Sequence, residues 1–285
     1  MKHENNKAND KIGDSVKVSS RICPIHGTYL WESVDKVKPI NSKDEKYIVA
    51  CPTCTKEKNL MKSKQTAELE TVNMQLAQTY GMLRNKSLIP TRLIAVNFGK
   101  FQVKDDEDKR AKDFGLYLCD YYFKKGGEGN AIIVGSYGVG KSFLSMCIAD
   151  KLNEDCRAVS DPKKILFISV PQLFRKMETA KSYEDTKENY RRWLRLMIDA
   201  DYLFLDDFGK ESTFGNLSKE ATADRQKFFY DLFDSRVKPI IFNTNFSGKQ
   251  LKKIYDGALV SRMSEGVGRN VFKFSDEATD KRRNQ

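Results

Sequence analysis

Residues 130–142 read N-A-I-I-V-G-S-Y-G-V-G-K-S. A short apolar run, Ala131 to Val134, leads into Gly135-Ser136-Tyr137-Gly138-Val139-Gly140-Lys141-Ser142, and Phe143, Leu144, Cys147 and Ile148 continue as an apolar helical segment. Strand, glycine-rich loop and helix together form the context in which G-x-x-x-x-G-K-[ST] is a phosphate-binding loop. Gly135, Gly138 and Gly140 let the backbone bend so that successive N–H groups face one anion. The helix N-terminus adds its dipole at the same point. Lys141 is placed to reach the β- and γ-phosphates of ATP or ADP, and the Ser142 hydroxyl to ligate Mg²⁺. The nucleotide-binding set is therefore Gly135, Ser136, Tyr137, Gly138, Val139, Gly140, Lys141, Ser142 and Phe143.

Downstream, Tyr202-Leu203-Phe204-Leu205 is an apolar strand that ends in Asp206-Asp207-Phe208-Gly209. Carboxylates at a strand tip are what a Walker B element requires: Asp206 to hold Mg²⁺ and Asp207 to polarise the attacking water. A second buried strand, Pro239 to Phe242, runs into Asn243-Thr244-Asn245. Ligands of doubly wound sheets sit at carboxyl strand ends, so this polar tip faces the nucleotide; a turn-forming Asn is the plainer alternative. Other elements follow from pattern: a helix over Asp106 to Phe123, a strand over Ile165 to Val170, a helix opened by Pro171 and a helix over about Lys219 to Arg236. Tyr190, Trp193, Leu194, Met197 and Ile198 share one helical face, which marks them as core and leaves Arg191, Arg192 and Arg195 off the stripe. The polar Lys181 to Asn189 reads as a loop. Val271 to Phe274 closes the sheet.

Upstream, Cys23-Pro-Ile-His26-Gly27 and Cys51-Pro-Thr-Cys54 are two C-x-x-[CH] pairs with Pro and Gly supplying turns. Cys23, His26, Cys51 and Cys54 are a zinc ligand set, with disulfides or free thiols as the alternative. Four protein ligands leave no open position, so the Zn²⁺ is structural; it would contribute on the order of 10 kcal/mol to a module too small to bury much core. Short strands flank the ligands at Thr28 to Trp31 and Tyr47 to Ala50. The other cysteines, Cys119, Cys147 and Cys156, read as fillers. Between module and ATPase, Leu69, Val72, Leu76, Tyr80 and Leu83 form a helical stripe expected to pack on its own domain.

The chain has 285 residues, a formal net charge of +11 and a sequence pI near 9.2. That balance suits an anionic partner, nucleic acid first, with lysine-rich solubility as the bland account. No run of 18 apolar residues and no apolar N-terminal stretch occur, so neither a membrane span nor a signal peptide is expected, and the expected location is cytoplasmic.

The Walker elements at 135–142 and 202–207, V-P-Q-L-F-R after the second strand, L-D-D-F-G, T-N-F-S and the segment S-R-M resemble the AAA+ ATPases, and more narrowly the helicase loaders related to DnaC and DnaI. The resemblance covers roughly residues 88–275. It implies an α/β fold, a P-loop three-layer sandwich with a parallel five-stranded sheet, preceded by a zinc-ribbon-like module and a connecting helix. The partition expected is a disordered tail over 1–19, a zinc module over 20–56, a connecting helix over 57–90, the ATPase over 91–275 and a basic tail over 276–285. It also implies that Asn245 is the sensor-1 residue, that Arg262 is an arginine finger serving a neighbouring subunit, and that Arg236 and Arg269 are weaker basic candidates. Family members often carry G-E-R-x-x-S-R-[LM] around the finger; here the segment is Gly257-Ala-Leu-Val-Ser-Arg-Met. The implied activity is ATP hydrolysis in DNA replication, with a hexameric replicative helicase, single-stranded DNA and further copies of the chain as partners. Two alternatives stay open: an IstB-type transposition helper on duplex DNA, and a nucleotide-dependent adaptor with little hydrolysis because Asp207 is shorter than the usual Glu.

Overall fold

The computed structural model describes residues 15–38, 44–178, 183–210, 213–214, 217–218, 221–275 and 281. The chain forms two compact units, residues 1–73 and 74–285.

In the first unit, β1 (Val16–Ile22), β2 (Tyr29–Ser33) and β3 (Val49–Ala50) make an antiparallel sheet in the order β1-β2-β3. β1 begins inside the stretch expected to be a disordered tail: Val16 and Val18 alternate with polar residues and pair with Ser33 and Trp31 of β2. Residues 1–14 of that tail lie outside the described residues. Helix α1 (Pro52–Gln78) starts between the second pair of ligand cysteines. The apolar stripe does not pack as expected. Leu69, Val72 and Leu76 are exposed, and α1 buries no residue. Leu83 alone of the stripe is buried, in the separate short helix α2 (Met82–Asn85).

The second unit continues through two single turns of 3₁₀ helix (Thr91–Leu93 and Phe98–Lys100) to α3 (Asp106–Phe123), which covers the expected range. α3 starts where the Asp105 carboxylate accepts the Asp108 N–H at 2.7 Å, and its first turn is acidic, both favourable at a helix N-terminus. The remaining elements are β4 (Ala131–Val134), α4 (Lys141–Ala158), β5 (Ile165–Ser169), α5 (Val170–Glu178), α6 (Tyr183–Asp199), β6 (Tyr202–Asp206), β7 (Thr213–Phe214), β8 (Leu217–Ser218), α7 (Ala223–Asp234), β9 (Ile240–Thr244), α8 (Gly248–Ile254), α9 (Gly257–Met263) and β10 (Val271–Lys273). α6 begins within the stretch read as a loop. Residues 185–188 are polar because they face solvent on a helix, and residues 181–182 lie outside the described residues. The two-residue strands β7 and β8 were not foreseen, since two residues show no periodicity.

β10-β4-β9-β6-β5 is the sheet order, and every pairing is parallel. Successive strand residues point to opposite faces, and both faces are covered. Leu166, Ile168, Leu203, Leu205 and Phe242 join one core with residues of α5, α6, α7, α8 and α9. Ile165, Phe167, Phe204, Ile133 and Ile241 join the other with α3 and α4. The result is the expected three-layer α/β sandwich. Among the described residues no helix is long and apolar enough to cross a membrane.

Candidate functional site

The glycine-rich loop leaves β4 at the sheet's carboxyl edge and turns into α4. Gly138 and Gly140 have φ of 80° and 104°, in the left-handed region that side chains rarely adopt. Gly140 is the N-cap of α4, and no side chain caps that end, so the first N–H groups of the helix stay open to an anion. Lys141 is buried, and its ammonium donates to the carbonyls of Gly135 at 2.9 Å and Ser136 at 2.6 Å.

Facing the loop is a cavity of about 660 Å³ whose lining brings together Gly138 to Phe143, Asp207 and Asn245, three stretches far apart in sequence. Gly135 is buried in the first half of the loop, whereas Ser136 and Tyr137 are exposed on its outer side. β9 lies between β4 and β6, so its tip stands between loop and carboxylates. The Asn245 amide nitrogen is buried with no hydrogen-bond partner. Asp206 is buried behind the cavity wall. Its Oδ1 accepts from Asn243 Nδ2 at 2.5 Å, and its Oδ2 has no partner. Burial first, and the adjacent Asp207 second, push the Asp206 carboxyl up to about 6, against the lowering effect of the nearby Ser142 hydroxyl and the Asn243 amide. An orphaned carboxylate oxygen beside the loop serine fits a Mg²⁺ ligand. Asp207 holds φ of 58°, unusual outside glycine, and its Oδ2 is 3.1 Å from the Lys210 ammonium.

Asn243 was read only as part of a polar tip, yet it holds the Asp206 carboxylate and the Asp207 backbone at once. Its Oδ1 accepts the Asp207 N–H at 2.8 Å, its Nδ2 also donates to Ser145 Oγ at 3.0 Å, and its carbonyl accepts the Phe208 N–H at 2.9 Å. Sequence reading also missed Arg92 and Asp108 in the cavity lining, which carry no motif. It missed Lys281 as well, from the stretch assigned to a basic tail: its backbone N–H donates to the Gly138 carbonyl at 3.2 Å and its ammonium bonds the buried Asp108 carboxylate. Residues 276–280 and 282–285 of that tail lie outside the described residues.

Arg262 is not in this cavity. It lies on α9, half exposed, 2.6 Å from the Asp234 carboxylate of α7. Arg236 is corrected from basic candidate to structural residue. Its buried guanidinium donates to the carbonyls of Met197, Ile198, Ala200, Asp201 and Pro239 at 2.6–3.2 Å, closing the C-terminal end of α6. Arg269 is exposed and outside the cavity lining.

The first unit holds a second cluster. Gly27, at φ of 63°, turns the chain between Cys23 and Thr28, and Cys54 sits on the first turn of α1. The ligand atoms of Cys23, His26, Cys51 and Cys54 all lie within 4.8 Å of one another. His26 Nδ1 is 3.2 Å from Cys54 Sγ and 3.8 Å from the sulfurs of Cys23 and Cys51, and Cys23 Sγ is 3.8 Å from Cys54 Sγ. A tetrahedral ion with Zn–S bonds near 2.3 Å sets its sulfurs about 3.7 Å apart, so the donor set fits Zn²⁺. His26 Nε2 is 3.2 Å from Glu57 Oε1, which fixes Nδ1 as the inward-facing nitrogen. None of the six cysteines forms a disulfide in this structure.

Compared with known proteins, residues 93–263 match the family model described as IstB-like ATP binding protein. No curated protein matches the chain. Among solved structures, DnaI is 22% identical with a TM-score of 0.49, over 66% of this chain and 94% of that one. The DnaC helicase loader is 18% identical with a TM-score of 0.47, over 65% and 98%. Domain III of the replication initiation protein DnaA from Thermotoga maritima is 16% identical with a TM-score of 0.46, over 66% and 69%.

Proposed function

Since the chain belongs to the IstB-like ATP-binding protein family, we propose that it is an ATPase that loads a hexameric replicative helicase onto single-stranded DNA. The observation that carries the ATPase reading is the arrangement of Asp206 and Asn245: one buried carboxylate oxygen and one buried amide without partners, at the edge of the cavity that the phosphate loop lines. Buried polar atoms are rarely left unpaired, and a bound nucleotide with its cation would satisfy both.

Lys141 now rests on its own loop carbonyls and would transfer to the β- and γ-phosphates. Ser142 and Asp206 would hold Mg²⁺, which supplies charge neutralisation at the phosphates. Asp207 would polarise the attacking water, with Asn245 orienting it. Arg262, exposed and outside its own cavity, would serve a neighbour's nucleotide and make hydrolysis depend on assembly. Cys23, His26, Cys51 and Cys54 would hold one structural Zn²⁺, with residues 20–56 as the partner-binding module and 91–275 as the ATPase. Stimulation of ATP turnover by single-stranded DNA, and its loss in Asp207→Ala, tests the catalytic part.

The family match favours one second reading, a transposition helper that coats duplex DNA. Preference for duplex over single strands, with no helicase contact under any nucleotide condition, would select it.

A further inference from the structure

Helix α6 has two unlike faces. Trp193 and Met197 are buried in the core, with Tyr190, Leu194 and Ile198 packed against it. On the other side, Arg191, Arg192 and Arg195 are exposed, and Arg195, four and three positions on, neighbours each of the other two on the helix surface. None of the three makes an ion pair or hydrogen bond among the described residues. Opposite them runs the segment 85–88. It is fixed to the sheet edge because Leu88 N–H donates to the Phe167 carbonyl at 2.8 Å and the Leu88 carbonyl accepts the Ser169 N–H at 3.0 Å. The groove between measures about 910 Å³; Lys86 and Lys176 add to the arginines in its lining, against the acids Glu188 and Asp199. It shares no lining residue with the nucleotide cavity.

We propose that this groove is a second anion site, and that it takes the phosphate backbone of a single nucleic-acid strand. Three guanidiniums on one side of the helix, unpaired among the described residues, suit neighbouring phosphates, because each presents a planar fork of donors. Among the described residues the lining holds a single aromatic ring, Trp193, which is 8% exposed and offers no stacking platform, so the groove would read backbone, not bases. A duplex is stiff over about 150 base pairs and presents its phosphates on a convex surface, which meets only the rim of a recess. A single strand can bend into it. The inference rests on the DNA-acting reading of the ATPase.

The test uses the full chain and a fluorescent oligothymidylate of about 20 nucleotides, long enough to exceed one ordinary single-strand site. Affinity is measured across a salt series for the wild type and for Arg191→Ala/Arg192→Ala/Arg195→Ala, with binding of a fluorescent ATP analogue as the folding and nucleotide control. The expected result is at least a tenfold loss of affinity in the variant, a salt slope shallower by about 2 for three lost phosphate contacts, and unchanged ATP binding. Equal affinity and slope in both proteins would overturn the groove, as would a wild type that binds ATP but no oligothymidylate. Displacement of the strand by a duplex of equal length at equal concentration, or binding of polyglutamate with no strand binding, would overturn it too and assign the face to duplex or to an acidic peptide. A wild type that binds neither ATP nor the strand would instead overturn the ATPase reading beneath it.

Discussion

Asn243 Nδ2 donates to Asp206 Oδ1 at 2.5 Å, while the same side chain's Oδ1 accepts the Asp207 N–H at 2.8 Å. One carboxamide thus ties the tip of β9 to the Asp206 carboxylate and to the Asp207 backbone at the tip of β6, and it steadies Asp207 in a left-handed conformation that a non-glycine residue adopts at a cost. Asn243→Ala would orphan the Asp207 N–H and remove a donor from Asp206, each loss costing about 1–3 kcal/mol. ATP turnover is expected to fall about 100-fold with ATP affinity changed less than about threefold, a difference of roughly 2–3 kcal/mol at the transition state. Steady-state kinetics beside equilibrium ATP binding checks this; equal losses in both would show that the clamp does not position the carboxylates.

The Asp206 carboxyl gives a pH signature. Its folded value, pushed up to about 6, lies above the ordinary aspartate value near 4, so the folded protein holds the proton more tightly than the unfolded chain. Its contribution is fully present below pH 4 and is lost as pH rises through about 6. Asp206→Asn, which removes the buried charge, should therefore raise the melting temperature by on the order of 5 °C at pH 8 without Mg²⁺ or nucleotide. That advantage should vanish near pH 4. A variant no more stable than the wild type at pH 8 would remove the assignment.

Arg236 and Arg262 should behave oppositely. Arg236→Ala strips five backbone carbonyls of a buried donor, so a loss of about 3 kcal/mol or more in stability is expected from denaturant unfolding. Arg262→Ala breaks an exposed pair with Asp234, which is worth at most about 1 kcal/mol. It should leave the melting curve almost unchanged yet lower assembly-dependent ATP turnover about 1,000-fold. Undiminished turnover in the assembled variant would deny Arg262 the role of finger.

The cysteine–histidine cluster predicts one Zn²⁺ per chain in freshly purified protein. Metal analysis tests the count. Chelation should unfold the first unit while ATP binding by the second persists, read by protease sensitivity of residues 15–51 beside nucleotide binding. Absence of zinc, or chelation without any change in protease sensitivity, would contradict a structural ion.

The five parallel strands were legible because each is a short apolar run that ends in a turn or a polar tip, and the strand tips carry the loop, Asp206 and Asn245. The phosphate loop was legible from its glycines, Lys141 and Ser142 set between an apolar strand and an apolar helix. Asn243 was not singled out, because an asparagine two residues before the nominated one looks the same in sequence whether it faces solvent or bonds a buried carboxylate and its neighbour's backbone. Arg236 misled for a similar reason: a cation's identity says nothing about the five carbonyls that surround it. The start of α6 was hidden because its first turns are polar, and the α1 stripe was misjudged because spacing shows that apolar residues share a face without showing what covers it.

The central proposal is that an ATP-dependent chain loads a hexameric replicative helicase, and purification of the tagged chain from its host's extract, with ATP and with ADP, tests it most directly. The account predicts that a hexameric replicative helicase co-purifies and that its yield differs between the two nucleotides, with the difference abolished by Lys141→Ala. Absence of helicase under every nucleotide condition, from a protein that binds ATP, would contradict it.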